Sequence, residues 1–297
     1  MVAVEKLAAW IELHRRVGDA KLRGLLNDGG AAKEILKSHG RPASINSMHR
    51  RLAASLIESG VSILTINSPE YPDCLRRQLQ SDAPPILYVR GNRALFRQRS
   101  FAIIGTRRPS LEGRNAATSY SSAFAESGIV VVSGNAPGID AAAHGAALAA
   151  GGATIVFPPT PMDQYVASFP ESSDHQGILV ASPFAPGIEV QPWCFLRRNT
   201  LVAAHCHAAL IAETGTRGGT LDTLRKLRTM ERRVWITQLP DRAKHCNAHR
   251  LIKSSGAEEV PLVASVEILA QLLREDPRPA QTTPRAVELQ LPWSDAP

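Results

Sequence analysis

Three short stretches of this 297-residue chain combine glycines, hydroxyls and arginines in a pattern suited to phosphate. They are Gly105-Thr106-Arg107-Arg108, Ser133-Gly134-Asn135-Ala136-Pro137-Gly138-Ile139-Asp140 and Glu213-Thr214-Gly215-Thr216-Arg217-Gly218-Gly219-Thr220. Glycines let backbone N–H groups approach an anion, and a helix starting at such a loop adds its dipole. Arginine adds a planar fork of donors that grips phosphate oxygens in a way lysine cannot. The candidate phosphate or nucleic-acid contacts are therefore Gly105, Thr106, Arg107, Arg108, Ser133, Gly134, Gly138, Arg217, Gly218, Gly219 and Thr220. The segment Phe195-Leu196-Arg197-Arg198-Asn199 adds Arg198 and Asn199. Arg107, Arg198 and Arg217 are expected to share one positive groove. The plainer reading of each arginine is a solvated loop or helix face.

Three further residues carry titratable chemistry. Asp140 and His144 lie four apart and share a helix face, as an acid–base couple or as a buried pair that fixes the loop. The small-residue segment from Ala141 to Ala150 favours the structural role. Glu213, at a strand end, orients other groups or meets a ribose hydroxyl. No nucleophile elbow, no Walker-type Gly-Lys-Ser/Thr and no carboxylate cluster occurs, so binding explains the residues better than catalysis does. No catalytic residue and no cofactor is assigned. His205-Cys206-His207 and His245-Cys246-Asn247-Ala248-His249 offer zinc-type ligands but no Cys-x-x-Cys knuckle, and no metal is expected.

The elements that must position these loops alternate regularly. Apolar runs predict strands at 101–105, 129–133, 153–157, 178–182, 208–212 and 233–238, with helices near 112–127, 139–150, 198–204 and 219–231. That alternation predicts an α/β fold, Rossmann-like, with a mostly parallel sheet and helices on both faces. Ligands of such sheets sit at the carboxyl ends of strands, where all three loops fall. Strands are also expected at 63–66 and 86–89. Residues 1–60 show helical spacing (Leu7, Trp10, Ile11, Leu13, then Leu52, Leu56, Ile57) and are read as a small helical (SAM/HhH-like) domain ahead of the sheet domain at 61–262. Residues 263–297 are expected to be a short helix over 266–273 and a disordered, proline-rich tail.

A formal charge of +7 suits a polyanionic partner, though charge alone speaks to association and not to fold. Aromatics at 5% predict aliphatic core packing and little base stacking. No apolar run reaches the ~20 residues of a membrane span, and the start lacks a signal-peptide pattern, so a cytoplasmic protein without membrane contact is expected. Four scattered cysteines are read as free thiols.

From Tyr71 to Ala257 the chain resembles the DNA-processing protein A family (DprA, also called Smf). The resemblance rests on Tyr71-Pro72, Ile86-Leu87-Tyr88 with Gly91, Ile104-Gly105-Thr106-Arg107, Ser133-Gly134 with Gly138-Ile139-Asp140 and His144, Phe195 with Arg198-Asn199, Glu213 with Gly218-Gly219-Thr220-Leu221, and Asn247 with Leu251-Ile252 and Gly256-Ala257. It implies an extended Rossmann-type fold, single-stranded DNA binding, self-association as a homodimer, loading of the RecA recombinase, and a role in recombination, transformation or genome defence. It implies Arg107 as a DNA contact, with Arg198 and Asn199 in the same pocket. Thr200 stands where the family has an arginine, Val166 where it has a proline and Asn135 where it has an apolar residue, and no C-terminal winged helix is expected. An alternative comes from Gly215 to Leu221, which is similar to the phosphate loops of lysine-decarboxylase-like (LOG) enzymes. It implies a nucleotide sensor or nucleoside-phosphate hydrolase using Asp140 and Glu213.

Overall fold

A computed structural model describes residues 2–27, 45–168, 176–240, 245–254 and 256–274. In chain order the elements are α1 (Val2–Asn27), α2 (Ser47–Glu58), β1 (Val61–Thr65), α3 (Asp73–Leu79), β2 (Ile86–Gly91), β3 (Ser100–Gly105), α4 (Leu111–Glu126), β4 (Val130–Ser133), α5 (Ile139–Ala149), β5 (Thr154–Val156), α6 (Met162–Ser168), β6 (Ile178–Ser182), α7 (Pro192–His205), β7 (Ala208–Glu213), α8 (Gly219–Thr229), β8 (Arg233–Thr237), α9 (Cys246–Ser254), β9 (Glu258–Val260) and α10 (Val266–Arg274). The expected punctuation at Gly29-Gly30 and Gly40-Arg41-Pro42, and the expected disorder of the tail beyond 274, lie outside the described residues. The chain divides into two compact units, Met1–Arg97 with Phe157–Cys194, and Gln98–Val156 with Phe195–Pro297.

In the first unit the apolar stripe of α1 is buried, as its helical spacing predicts: Leu7, Trp10, Ile11 and Leu13 are all in the core. The helix breaks at Gly18, whose φ of 70° is non-helical. Asn46 caps α2 by accepting the Met48 N–H at 2.8 Å. Glu12 of α1 holds His49 of α2 at 3.3 Å, both largely buried. The strands here are antiparallel, with Ser62 opposite Val89 and Tyr88 opposite Ser182. The strand expected at 178–182 forms with those bounds, and it pairs antiparallel with β2, which its sequence does not announce. Every residue of that strand is buried, and a continuously apolar run carries no directional signal.

The second unit holds six parallel strands in the order β5-β4-β3-β7-β8-β9. The chain runs outward from β3 to β4 and β5, then returns to the other side of β3 as β7. The loops after β3 and β7 therefore diverge across a crevice, the switch point where open α/β sheets take ligands. Every residue of β7 is buried, so both sheet faces are covered. On one face Phe101, Ile103, Val131, Leu210 and Trp235 pack against Tyr120 and Phe124 of α4 and Ala143 and Ala147 of α5. Aromatics are few in the chain but concentrated here. Phe101 meets Phe124 edge-on at 5.1 Å and Trp235 at 5.4 Å between ring centroids, the favoured geometry for such rings. Aliphatic side chains still make up most of this cluster, as the low aromatic content predicts.

Helix α7 begins six residues earlier than its expected start at 198. Pro192 opens it, a position where the missing N–H costs nothing. Phe195, Arg198, Asn199 and Val202 consequently lie at i, i+3, i+4 and i+7 on one helical face. The apolar pattern did not reveal helices α3, α6 and α9 or the short strand β9. Among the described residues no helix is long and apolar enough to cross a membrane.

Candidate nucleic-acid interface

A cavity of about 360 Å³ opens at the carboxyl ends of β3 and β7, near the lower end of the roughly 300–1,000 Å³ range of small-ligand sites. The α7 face just described forms part of its lining, with Phe195, Arg198, Asn199 and Val202 all turned into it. Gly105, Thr106 and Arg107 contribute from the first loop, Gly134 and Asp140 from the second, and Arg217, Gly218, Gly219 and Thr220 from the third. The sequence thus brings eleven of its candidate residues into one lining, Arg107, Arg198 and Arg217 among them.

Arg198 is the most confined of these. Its side chain is 7% exposed, and Nη1 lies 3.3 Å from Asp140 Oδ2. The same oxygen accepts the N–H of Gly134 and of Ala136, each at 3.2 Å. Arg198 Nε is buried with no protein partner. Burial lowers the guanidinium's pKa and the Asp140 charge opposes the drop. Burial likewise raises the Asp140 carboxyl, against the pull of Arg198 and the two amides. A guanidinium stays protonated across the accessible pH range, so Arg198 offers the Asp140 carboxylate a permanent countercharge. Gly134 is required at its position because a Cβ there would fall on the Arg198 guanidinium.

Arg107 is exposed at the mouth, its guanidinium 5.1 Å above the Phe195 ring. That contact holds the cation in place at little cost in solvation. Arg217 is also exposed. The backbone donors divide unevenly between the loops. Thr106 donates its N–H to Glu213 O at 2.7 Å, and Arg108 donates its own to Thr106 Oγ1 at 3.3 Å. The Thr106 and Arg108 amides are therefore committed, contrary to the expectation that they face an anion. The Gly134 amide is likewise committed to Asp140. The third loop differs. Gly218 is the N-cap of α8 and supplies no side-chain cap. A helix's first N–H groups have no acceptor within the helix, and Gly219 and Thr220, which carry two of them, line the cavity.

Five candidates fall outside the lining. Arg108 is exposed elsewhere. Ser133 is fully buried and donates to Ile103 O at 2.7 Å. Gly138 adopts φ 88°, and a Cβ there would lie 2.5 Å from Thr106 O and 2.7 Å from Arg107 O. It allows the first two loops to touch and does not itself face the cavity. His144 is not partnered with Asp140; its Nδ1 lies 2.6 Å from Thr154 Oγ1. Burial, with Arg198 nearby, lowers its pKa to about 4, so the ring is neutral. Glu213 is 1% exposed and accepts Ser110 N–H and Oγ–H at 2.8 Å each, with His245 Nδ1 at 2.7 Å from its other oxygen. Asn199 lines the cavity but spends its amide on Gly219 O and Asp222 Oδ2, tying α7 to the start of α8.

Sequence reasoning missed Ile104, Phe195, Val202, Thr214 and Thr223 as lining residues. The i, i+3, i+4, i+7 spacing from Phe195 is the signal in the sequence, and it reads as one face only in a helix that starts at Pro192. Among the described residues no three His, Cys, Asp or Glu side chains are placed to hold a metal. His205 lies against Ser100, and His249 bridges Thr214 and Thr237.

An open parallel sheet with an anion-suited crevice at its switch point defines the class: a Rossmann-type α/β binding protein. Within that class the chain belongs to the DNA recombination-mediator protein A family, whose model matches residues 62–272. It is 28% identical over 302 residues to the putative DNA processing protein DprA of Mycobacterium tuberculosis, covering 94% of this chain and 76% of that one. It is 34% identical over 151 residues to DNA processing protein DprA of Streptococcus pneumoniae, covering 48% and 51%. The crystal structure of the pneumococcal DprA superposes with a TM-score of 0.61 at 26% identity, over 78% of this chain and 82% of that one. The Helicobacter pylori protein, described by its single-stranded DNA binding mode, superposes at 0.60 with 23% identity, over 73% and 96%, which establishes shared fold.

Proposed function

We propose that this protein binds single-stranded DNA through its backbone phosphates, at the cavity formed by the three loops and α7. The observation that carries the reading is the convergence on one lining of Arg107, Arg217, the uncapped start of α8, and the buried Arg198 with its unpartnered Nε. Asp140 neutralises Arg198, so the net positive charge offered to a strand comes from the exposed Arg107 and Arg217. Family membership and the single-strand binding named for the Helicobacter relative support the same ligand. Self-association, a RecA-type recombinase partner and a cytoplasmic setting belong to this proposal on family grounds. The small helical domain expected over 1–60, of which α1 and α2 are described, is assigned to a partner-facing or capping role within it.

The nucleoside-phosphate hydrolase alternative has no comparable support. Glu213, one of its two carboxylates, lies outside the cavity and is fully engaged, and Asp140 is engaged by Arg198 and two amides. The test is binding of a labelled oligonucleotide, compared with duplex and with free nucleotides on one preparation. Single strand should bind best, and equal binding of duplex contradicts the reading.

A further inference from the structure

We infer that His249 is a positioning residue for strand binding: its neutral ring holds the start of the third loop, and protonating it releases that loop. The inference rests on the strand-binding reading of the cavity. His249 does not line that cavity. It lies on α9, buried to 4% exposure, and bridges the ends of two strands. Its Nδ1 is 2.8 Å from Thr237 O, just at the end of β8. Its Nε2 is 3.1 Å from the Thr214 N–H, the first residue after β7. A carbonyl only accepts and an amide N–H only donates. Nδ1 therefore carries the proton and Nε2 offers its lone pair, which fixes one neutral tautomer.

Thr214 opens the loop that ends in Gly218-Gly219-Thr220, so its backbone sets where the loop leaves the sheet. One turn earlier, His245 holds Glu213 at 2.7 Å, so the same segment grips two consecutive residues at the mouth of the loop. A proton added at Nε2 has no electron pair left for the Thr214 N–H, and two donors then face each other in a buried place. The groups that bear on this ring are Glu213 from β7, Glu259 from β9 and His245 on its own segment. Burial dominates and lowers the His249 pKa, against the favourable pull of Glu213 and Glu259. The ring also borders a second cavity, of about 540 Å³, which Arg250, Lys253 and Glu259 line as well. That cavity gives a proton a way in.

The direct contacts do not titrate, because arginine and the phosphodiester keep their charges across this range. A fall in affinity on acidification that His249→Gln removes is thus the signature of the His249 device. The experiment measures binding of a labelled oligothymidylate at fixed salt from pH 7.5 to 5.0, with near-ultraviolet circular dichroism to confirm folding at each pH. Wild type is expected to lose affinity progressively as pH falls, up to about tenfold once the ring is protonated, the equivalent of one buried hydrogen bond of ~1.4 kcal/mol. His249→Ala should bind weakly already at pH 7.5. His249→Gln, whose amide offers an acceptor and a donor but no titration, should restore binding relative to His249→Ala and remove the acid loss.

A His249→Gln profile that keeps the wild-type fall overturns the inference. If that variant does not fold, the wild-type profile decides, and rising affinity on acidification overturns it. Failure of the strand-site reading looks different: Arg107→Ala then binds as wild type does at pH 7.5.

Discussion

Arg198 Nη1 lies 3.3 Å from Asp140 Oδ2, and the Gly134 backbone passes directly against the same guanidinium. The arginine beneath the cavity is thus held by a carboxylate and by the absence of a side chain. Removing either support has a calculable consequence. Asp140→Ala leaves a buried cation unpaired and frees two amides, and should destabilise the fold by about 3–5 kcal/mol. Gly134→Ala should expel Arg198 from its slot and weaken strand binding along with stability. Urea unfolding of both variants, with oligonucleotide binding of the folded fraction, checks this. A wild-type midpoint for Asp140→Ala would show that the pair is not buried as described.

His144 makes stability depend on pH. Its pKa is lowered to about 4 in the folded protein, by burial first and Arg198 second, against an ordinary value of about 6.5. The unfolded chain takes up this proton first. The stability contribution is therefore complete above about pH 6.5 and is lost as pH falls toward 4, by roughly 3 kcal/mol in all. Urea unfolding at pH 7 and pH 4.5 should show that loss, and His144→Gln should reduce it. An unchanged slope in the variant would assign the acid sensitivity to other groups.

Gly138→Val should damage the loops themselves. The residue has φ 88°, and its Cβ would meet Thr106 O and Arg107 O. Backbone strain of this kind costs on the order of 1–3 kcal/mol, before the clash is counted. The thermal midpoint should drop by several degrees, and strand binding should fall with it. The exposed Arg108→Ala, outside the cavity, should change neither measurably.

Five of the six parallel strands, all but β9, were legible in the sequence because each is a short apolar run bounded by glycine or polar residues. The loop at Gly218-Gly219-Thr220 was legible for a related reason: glycines ahead of a helix leave its first amides uncovered. Two kinds of information were not local. The direction of the 178–182 strand depends on its partner at Tyr88, nearly a hundred residues away, and the apolar run is the same either way. The roles of Asp140, His144 and Glu213 depend on which neighbours burial supplies. Spacing put Asp140 and His144 on one face, yet tertiary packing gave Asp140 to Arg198 and His144 to Thr154. Phe195 was visible as a residue but not as a platform. Its role appears only once α7 starts at Pro192 and Arg107 folds over the ring.

The most direct test of the account is the affinity for a labelled single strand across a salt series, for wild type and Arg107→Ala together. Phosphate binding predicts a linear fall of log affinity with log salt, and a slope smaller by about 0.7 in the variant, one phosphate contact being lost. The variant should also bind about tenfold more weakly at low salt while unfolding at the wild-type midpoint, since a hydrogen bond to a charged group contributes ~1.5–3 kcal/mol. A flat salt response in wild type, or an Arg107→Ala line that overlays it, would contradict the claim that this cavity holds the strand by its phosphates.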